Sequence, residues 1–321
     1  MKEIRISKNE ENTTLIKVLI KHFPNATSSF LYKMIRKKNI ILNGKKCDGK
    51  EHLTAGDTIS VFFSDDTFNK FSCNTNLSAI EREYEYLSRL DTREFNVIYE
   101  DEDILAVNKP VGMLSQKAEK NDISANELFL SYMIKNKLLT LEEYKVFKPS
   151  VANRLDRNTS GLLLFGKTMK GLHYLSDALK ERSIDKYYVC LCEGVIKDKI
   201  KAEAYLIKDE KTNKVIVKDS YFKGAKSIIT EYEPISDNGK YTRLRVHLIT
   251  GKSHQIRAHL AFLGYPLLGD EKYGNHKLNK ELKIRYDINS QLLHAYEIDF
   301  KNGNKIIAPI PQIFDKIEFG V

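Results

Sequence analysis

The sequence predicts an α+β protein: a mixed, largely antiparallel central sheet with flanking helices, preceded by a small separate domain. Three observations carry this expectation. Beyond residue 93, strand-like runs outnumber helical stretches and do not alternate with them as a regular βαβ array would. Residues 1–64 have a composition of their own, with 12 Lys/Arg against 6 Asp/Glu, so this fifth of the chain contributes +6 of the net +9. Between the two parts the sequence is polar and lacks alternation. The 321 residues, 42% of them hydrophobic, suffice for two domains. The expected division is 1–64, a linker over 65–92 and a main domain over 93–321.

Thr13 and Thr14 cap a helix whose apolar positions Leu15, Val18, Leu19 and Phe23 keep helical spacing, and Pro24-Asn25 ends it. Thr27 or Ser28 caps a second helix. Its residues Phe30, Leu31, Met34 and Ile35 face inward, which leaves Lys33, Arg36, Lys37 and Lys38 outward. A strand over 39–42 meets Asn43-Gly44, a strong hairpin-turn pair, and another strand spans 58–63. Residues 80–90 can form one helix inside the linker. The main domain opens on two strands separated by a turn near Glu100–Asp103, and the second stops before Pro110, which has no N–H for a ladder. An amphipathic helix is expected over 124–137, and Leu172, Leu175 and Leu179 mark another. Strands follow at 187–192, 214–217, 227–232, 241–248 and 292–300. Ser253 is the expected N-cap of a further helix, with Ile256, Leu260 and Leu263 as its stripe and Gly264 and Pro266 as its stop.

No apolar run approaches the roughly 20 residues of a membrane span, and Met1-Lys2-Glu3-Ile4-Arg5 has no hydrophobic signal region. A cytoplasmic monomer with no membrane partner is expected. Cys47 and Cys73 are isolated, while Cys190 and Cys192 share one face of a strand and read as core, since Cys-x-Cys lacks a second ligand pair. The basic first domain points to a polyanion, nucleic acid first. A lysine-rich solvated face is the plainer alternative.

Three stretches carry chemistry. Ala152-Asn153-Arg154-Leu155-Asp156-Arg157-Asn158-Thr159-Ser160-Gly161 sets an acid between two arginines and follows it with a polar turn and an apolar strand. The flanking guanidiniums favour the charged carboxylate, and the turn holds it at the mouth of a cleft. Thr250-Gly251-Lys252-Ser253-His254-Gln255-Ile256-Arg257 projects Arg257 from the start of a helix. Lys186-Tyr187-Tyr188 begins a strand. His247, His254, His259 and Asp270 are metal-ligand types, but His254 and His259 stand five apart and do not share a helical face, so no metal is expected. Glycoside hydrolysis needs two carboxylates, and the Asp156 segment holds one. No phosphate-binding or dinucleotide-binding glycine loop is present, so no such cofactor is expected.

The first stretch resembles the His-Arg-Leu-Asp-x-x-Thr-Ser-Gly signature of the RluA-type pseudouridine synthases, with Asn153 in the histidine's place. The second resembles that family's Gly-Arg-Thr-His-Gln-Ile-Arg motif, with Lys252 and Ser253 as departures, and Leu263–Asp270 continues the match. The third resembles its Lys-x-Tyr strand. Residues 13–63 resemble the αL RNA-binding motif, most like the branch that acts on large-subunit ribosomal RNA. The resemblance implies an isomerase whose catalytic residues are Asp156, Tyr188 and Arg257. Asp156 would act at the ribose, by attack at C1′ or by removing the C2′ proton, with Arg257 pairing it. Tyr188 would pack on the flipped base and take the C5 proton. The expected RNA contacts are Arg154, Arg157, Lys252 and His254 near the cleft, and Lys33, Arg36, Lys37 and Lys38 on the first domain. A non-catalytic RNA-binding assembly factor on the same fold is the rival reading, and the presence of Asp156 counts against it.

Overall fold

The computed structural model describes residues 1–72, 77–119, 121–209 and 214–319. The first part builds a small three-stranded sheet. Its elements are β1 (Lys2–Arg5), α1 (Leu15–His22), α2 (Ser28–Arg36), β2 (Ile40–Leu42), β3 (Thr58–Val61) and α3 (Asp65–Ser72), with sheet order β1-β3-β2. Thr27 caps α2 by accepting from the Phe30 amide at 3.2 Å. Asn43 and Gly44 both take positive φ, 48° and 73°, as the primed turn requires. Leu42 and Lys45 exchange backbone hydrogen bonds across this turn, at 3.0 and 2.9 Å, but the pairing stops there and the sheet partner of β2 is β3. Leu15, Val18, Leu19, Leu31, Ile35, Ile40 and Ile59 close into one apolar cluster. Phe68 and Phe71 of α3 pack against it.

The segment expected as a linker is therefore largely helical. After α3 comes α4 (Leu77–Arg89), whose Leu87 is buried in the main core. Its period of 3.6 is diluted by charged residues on the outer face, so it reads as polar in sequence. Cys73 lies outside the described residues.

The main part continues with β4 (Val97–Glu100), β5 (Ile104–Lys109), α5 (Ala125–Lys135), α6 (Leu141–Val146), β6 (Ser150–Val151), β7 (Ser160–Gly166), α7 (Met169–Glu181), β8 (Asp185–Glu193) and β9 (Ile200–Asp209). It closes with β10 (Lys214–Lys218), β11 (Lys226–Asp237), β12 (Tyr241–Leu248), α8 (Gln255–Phe262), α9 (His276–Tyr286), β13 (Leu293–Asp299), β14 (Lys305–Ile307) and α10 (Ile313–Phe319). Among the described residues eleven strands form one sheet, in the order β10-β9-β11-β12-β8-β13-β7-β5-β4, with β14 on β13 and β6 on β7. Among the described strands β13–β7 is the one parallel pair. The mixed, largely antiparallel sheet is the expected one. Strands β1, β6, β9 and β14 and helices α3, α6, α9 and α10 were not singled out in sequence, being short, highly charged or both.

Helix α5 begins at Ser124 in a capping box with Glu127. It lays Phe129 against Phe165 of β7, ring centroids 4.5 Å apart, with Phe95 alongside. Cys190 and Cys192 are fully buried on β8 in the same cluster, and with Cys47 they are free thiols. The two parts touch where Lys8 pairs with Glu102 at 2.6 Å and Thr13 reaches the Met169 sulfur. Among the described residues no helix is long and apolar enough to cross a membrane.

The topology positions the site. Strand β13 lies between β7 and β8, so the loop preceding β7 and the start of β8 are brought to one region at the middle of the sheet. This closeness depends on Gly161. A Cβ there would stand 2.2 Å from the Ala295 carbonyl oxygen, and its φ of 109° suits glycine alone.

Candidate active site

The loop that carries Asp156 is tied down on several sides. Asn153 accepts from the Leu164 amide at 2.7 Å, so the residue standing in place of histidine fastens the loop to β7. The Ser115 hydroxyl donates to the Leu155 carbonyl and accepts from the Leu155 amide, both at 3.0 Å. Lys109, almost fully buried, donates to the carbonyls of Pro110, Met113 and Arg157 at 2.8–3.0 Å. Burial pushes its ammonium down to about 7, against the pull of the Asp156 charge. Gln291 donates to Thr159 at 3.1 Å.

The Asp156 side chain, about a quarter exposed, accepts a hydrogen bond from Arg257 Nη1 at 2.8 Å on Oδ2. Arg257 is itself held by Asp270: Nε donates to Oδ2 at 2.7 Å and Nη2 to Oδ1 at 2.9 Å. One guanidinium thus spans two carboxylates. The fully buried Asp270 takes the bidentate grip, and Asp156 takes the remaining N–H facing the cleft. Burial alone would raise Asp270, but Arg257 and the amides of Lys272 and Tyr273 outweigh it and hold the acid below its ordinary value. Arg257 is raised despite its own burial, by Asp270 and then Asp156.

This differs from the expectation that Arg154 and Arg157 keep Asp156 charged. Both are exposed, and the guanidinium on Asp156 is Arg257. The tight turn, with the Thr159 amide donating to the Asp156 carbonyl at 3.0 Å, sends neighbouring side chains in different directions. Arg154 lines the cleft, while Arg157 contributes its carbonyl to the Lys109 clamp.

Tyr188 sits on β8, paired with Val246 and Ala295, and is buried beneath the cleft. Burial, then the Asp156 charge, raises its phenol, so it presents a neutral ring and an O–H. Tyr187 points to the opposite face, as strand alternation requires, with Arg245 3.9 Å above its ring. Ser253 is not the N-cap of α8. His254 occupies that place at φ 54°, ψ 18°, and no side chain caps the helix. The side chain of Gln255 folds back instead, accepting from Thr250 Oγ1 at 3.0 Å and the Lys252 amide at 3.1 Å. His254 Nε2 lies 4.0 Å from Asp156 Oδ2, and Nδ1 lies 2.8 Å from the Tyr273 hydroxyl. His259 is fully buried against Thr230, and His247 pairs with Asp185 at 3.1 Å.

These groups line a cleft of about 920 Å3. Among the described residues eight Lys or Arg border it, including Lys117, Arg154, Lys186, Lys208 and Lys252, and Asp156 is the one acid in its lining. Such a wall attracts a polyanion and singles out the one carboxylate. Lys33, Arg36, Lys37 and Lys38 are exposed on or just after α2 and do not line it. Asp270, Tyr273, Lys109 and Ser115 are the site residues that the motif reading left unassigned. The signal for Asp270 was an acid placed directly after the apolar Leu267-Leu268 and a glycine.

Comparison with known proteins identifies the family. Residues 103–262 match the RNA pseudouridylate synthase family. A ribosomal large subunit pseudouridine synthase C of Buchnera aphidicola subsp. Baizongia pistaciae is 32% identical over 98% of this chain and 95% of its own length. One of the same description from Rickettsia bellii is 31% identical over 94% and 96%. Human RNA pseudouridylate synthase domain containing 1 shares the fold, with a TM-score of 0.54 at 18% identity over 68% of this chain and 85% of that one. The chain belongs to the RNA pseudouridylate synthase family, as an RluA-type member.

Proposed function

We propose that this pseudouridine synthase isomerises uridine in large-subunit ribosomal RNA, in the cytoplasm, with Asp156 as the group acting on the ribose. The observation that carries the residue assignment is the Asp156–Arg257–Asp270 arrangement at the floor of a basic cleft. The substrate class is supported by the relatives' descriptions, and the location by three buried free cysteines.

In this reading the target uridine leaves its stack and enters the cleft, a step that costs a few kcal/mol and is offset by contacts inside. Asp156 acts at the ribose, through C1′ or the C2′ proton, and the C1′–N1 bond breaks. The released uracil turns and rejoins C1′ through C5, whose proton departs, and N1 gains a proton, so the product is an isomer of the substrate. Arg257 aims the carboxylate throughout. Tyr188 supplies a ring face to the base; its neutral phenol is poorly suited to take the C5 proton. The small basic part at the N-terminus, with Lys33, Arg36, Lys37 and Lys38 outward, adds phosphate contacts.

Asp156→Asn keeps the shape of the side chain and removes the charged oxygen. Tritium release from C5-labelled uridine in ribosomal RNA is expected to vanish while the fold and RNA affinity stay. Turnover within tenfold of the wild-type protein would sink the assignment. Mapping pseudouridine in ribosomal RNA from cells with and without the protein tests the substrate.

A further inference from the structure

His254 is held in an unusual way for a surface-loop histidine. It is the last residue before α8, its backbone is left-handed at φ 54°, and its side chain is mostly buried between Asp156 and Tyr273. That conformation is uncommon outside glycine, though histidine adopts it more readily than most residues. The surroundings here form a directed chain of hydrogen bonds. The Val215 amide donates to the Tyr273 hydroxyl oxygen at 2.9 Å. With that bond accepted, the geometry lets the hydroxyl give its proton to His254 Nδ1, 2.8 Å away. In that arrangement the neutral imidazole carries its hydrogen on Nε2, the atom facing Asp156.

At 4.0 Å the Nε2–H and Asp156 Oδ2 are too far apart to bond one another. They are well spaced to share a third atom. An oxygen about 2.8 Å from each would subtend an angle of about 90°, within reach of a hydroxyl that accepts from one and donates to the other. A phosphate oxygen or a carbonyl can accept but has no proton for the carboxylate, whereas a ribose hydroxyl has both functions. We propose that His254, locked by Tyr273 as an Nε2–H donor, and Asp156 together bracket the 2′-hydroxyl of the target nucleotide, making His254 a residue that selects ribose over deoxyribose. This rests on the reading of Asp156 as the group acting on the ribose.

The charges around the ring agree with a neutral imidazole. Burial pushes His254 below its ordinary value. Asp156 and Asp270 pull it upward, while Arg257 and Lys272 push it down. Protonation would also set an Nδ1–H against the tyrosine's proton.

The test uses the full-length protein and a large-subunit ribosomal RNA fragment carrying the mapped target, synthesised with 2′-OH or 2′-H at that nucleotide. Dissociation constants and single-turnover rates are measured for the wild type, His254→Leu and His254→Gln. The preference for 2′-OH over 2′-H in binding is expected to collapse about tenfold in His254→Leu, the worth of one hydrogen bond of this kind, and to return in part with glutamine, whose amide can donate from a similar place. A preference unchanged within twofold would show that His254 is merely structural. Nitrogen-15 NMR of the wild type should find hydrogen on Nε2 and none on Nδ1 at pH 7.5; the opposite tautomer or an imidazolium refutes the lock. Tyr273→Phe removes the donor that favours the neutral ring, so the acidic limb of the rate profile should move to higher pH, and an unmoved limb counts against the lock. A wild type without turnover on ribosomal RNA would overturn the substrate reading instead, and the NMR result would still decide the tautomer.

Discussion

Replacing Asp270 with asparagine separates the anchor of Arg257 from the group that Arg257 serves. Oδ1 of Asp270 accepts from Arg257 Nη2 at 2.9 Å and from the amides of Lys272 and Tyr273 at 2.9 and 3.1 Å, and an asparagine oxygen can keep all three. Oδ2 accepts from Arg257 Nε at 2.7 Å, and there the variant puts an NH2 group against an N–H. One charge-assisted bond, worth about 1.5–3 kcal/mol, is lost. A guanidinium only 7% exposed is then balanced by Asp156 alone, which brings the total toward the roughly 3–5 kcal/mol typical of breaking a buried pair. A native protein holds about 5–15 kcal/mol, so the variant should fold with a lowered denaturation midpoint. Arg257 also loses the grip that aims it at Asp156, so the single-turnover rate should fall at least tenfold while RNA affinity holds. Urea denaturation and tritium release measure the two effects. A loss of stability under about 1 kcal/mol together with a rate within threefold of wild type would refute the claim that Asp270 carries Arg257.

Gly161→Ala should be severely destabilising, because the added carbon meets the Ala295 backbone at 2.2 Å and neither strand can withdraw without breaking the β7–β13 pairing; a melting temperature within a few degrees of wild type would contradict this. Changing Lys33, Arg36, Lys37 and Lys38 to glutamine should flatten the salt dependence of ribosomal RNA binding, by roughly 0.7–0.9 in log–log slope for each phosphate contact removed. Equal slopes would mean that these four residues are only a solvated face.

The short polar and apolar patterns already present in the chain determine much of the molecule. Helical spacing marked α1, α2 and α5, and the resemblance to a Lys-x-Tyr strand pointed to Tyr188, not Tyr187, which the structure buries on β8. The motifs named Asp156 and Arg257, whose hydrogen bond spans 101 positions of sequence. These are local features, or a shared family pattern, and need no knowledge of what lies across the sheet. The tertiary structure decided the rest. The arginine beside Asp156 is the distant Arg257 and not its neighbours, because a tight turn disperses adjacent side chains while α8 delivers one guanidinium from the side. Asp270 is an anchor only because Arg257 is buried with it, Asn153 matters through a bond to β7, and His254 owes its orientation to a tyrosine 19 residues later. Polar partners of this kind are set by three-dimensional distance and burial, for which spacing along the chain carries no signal.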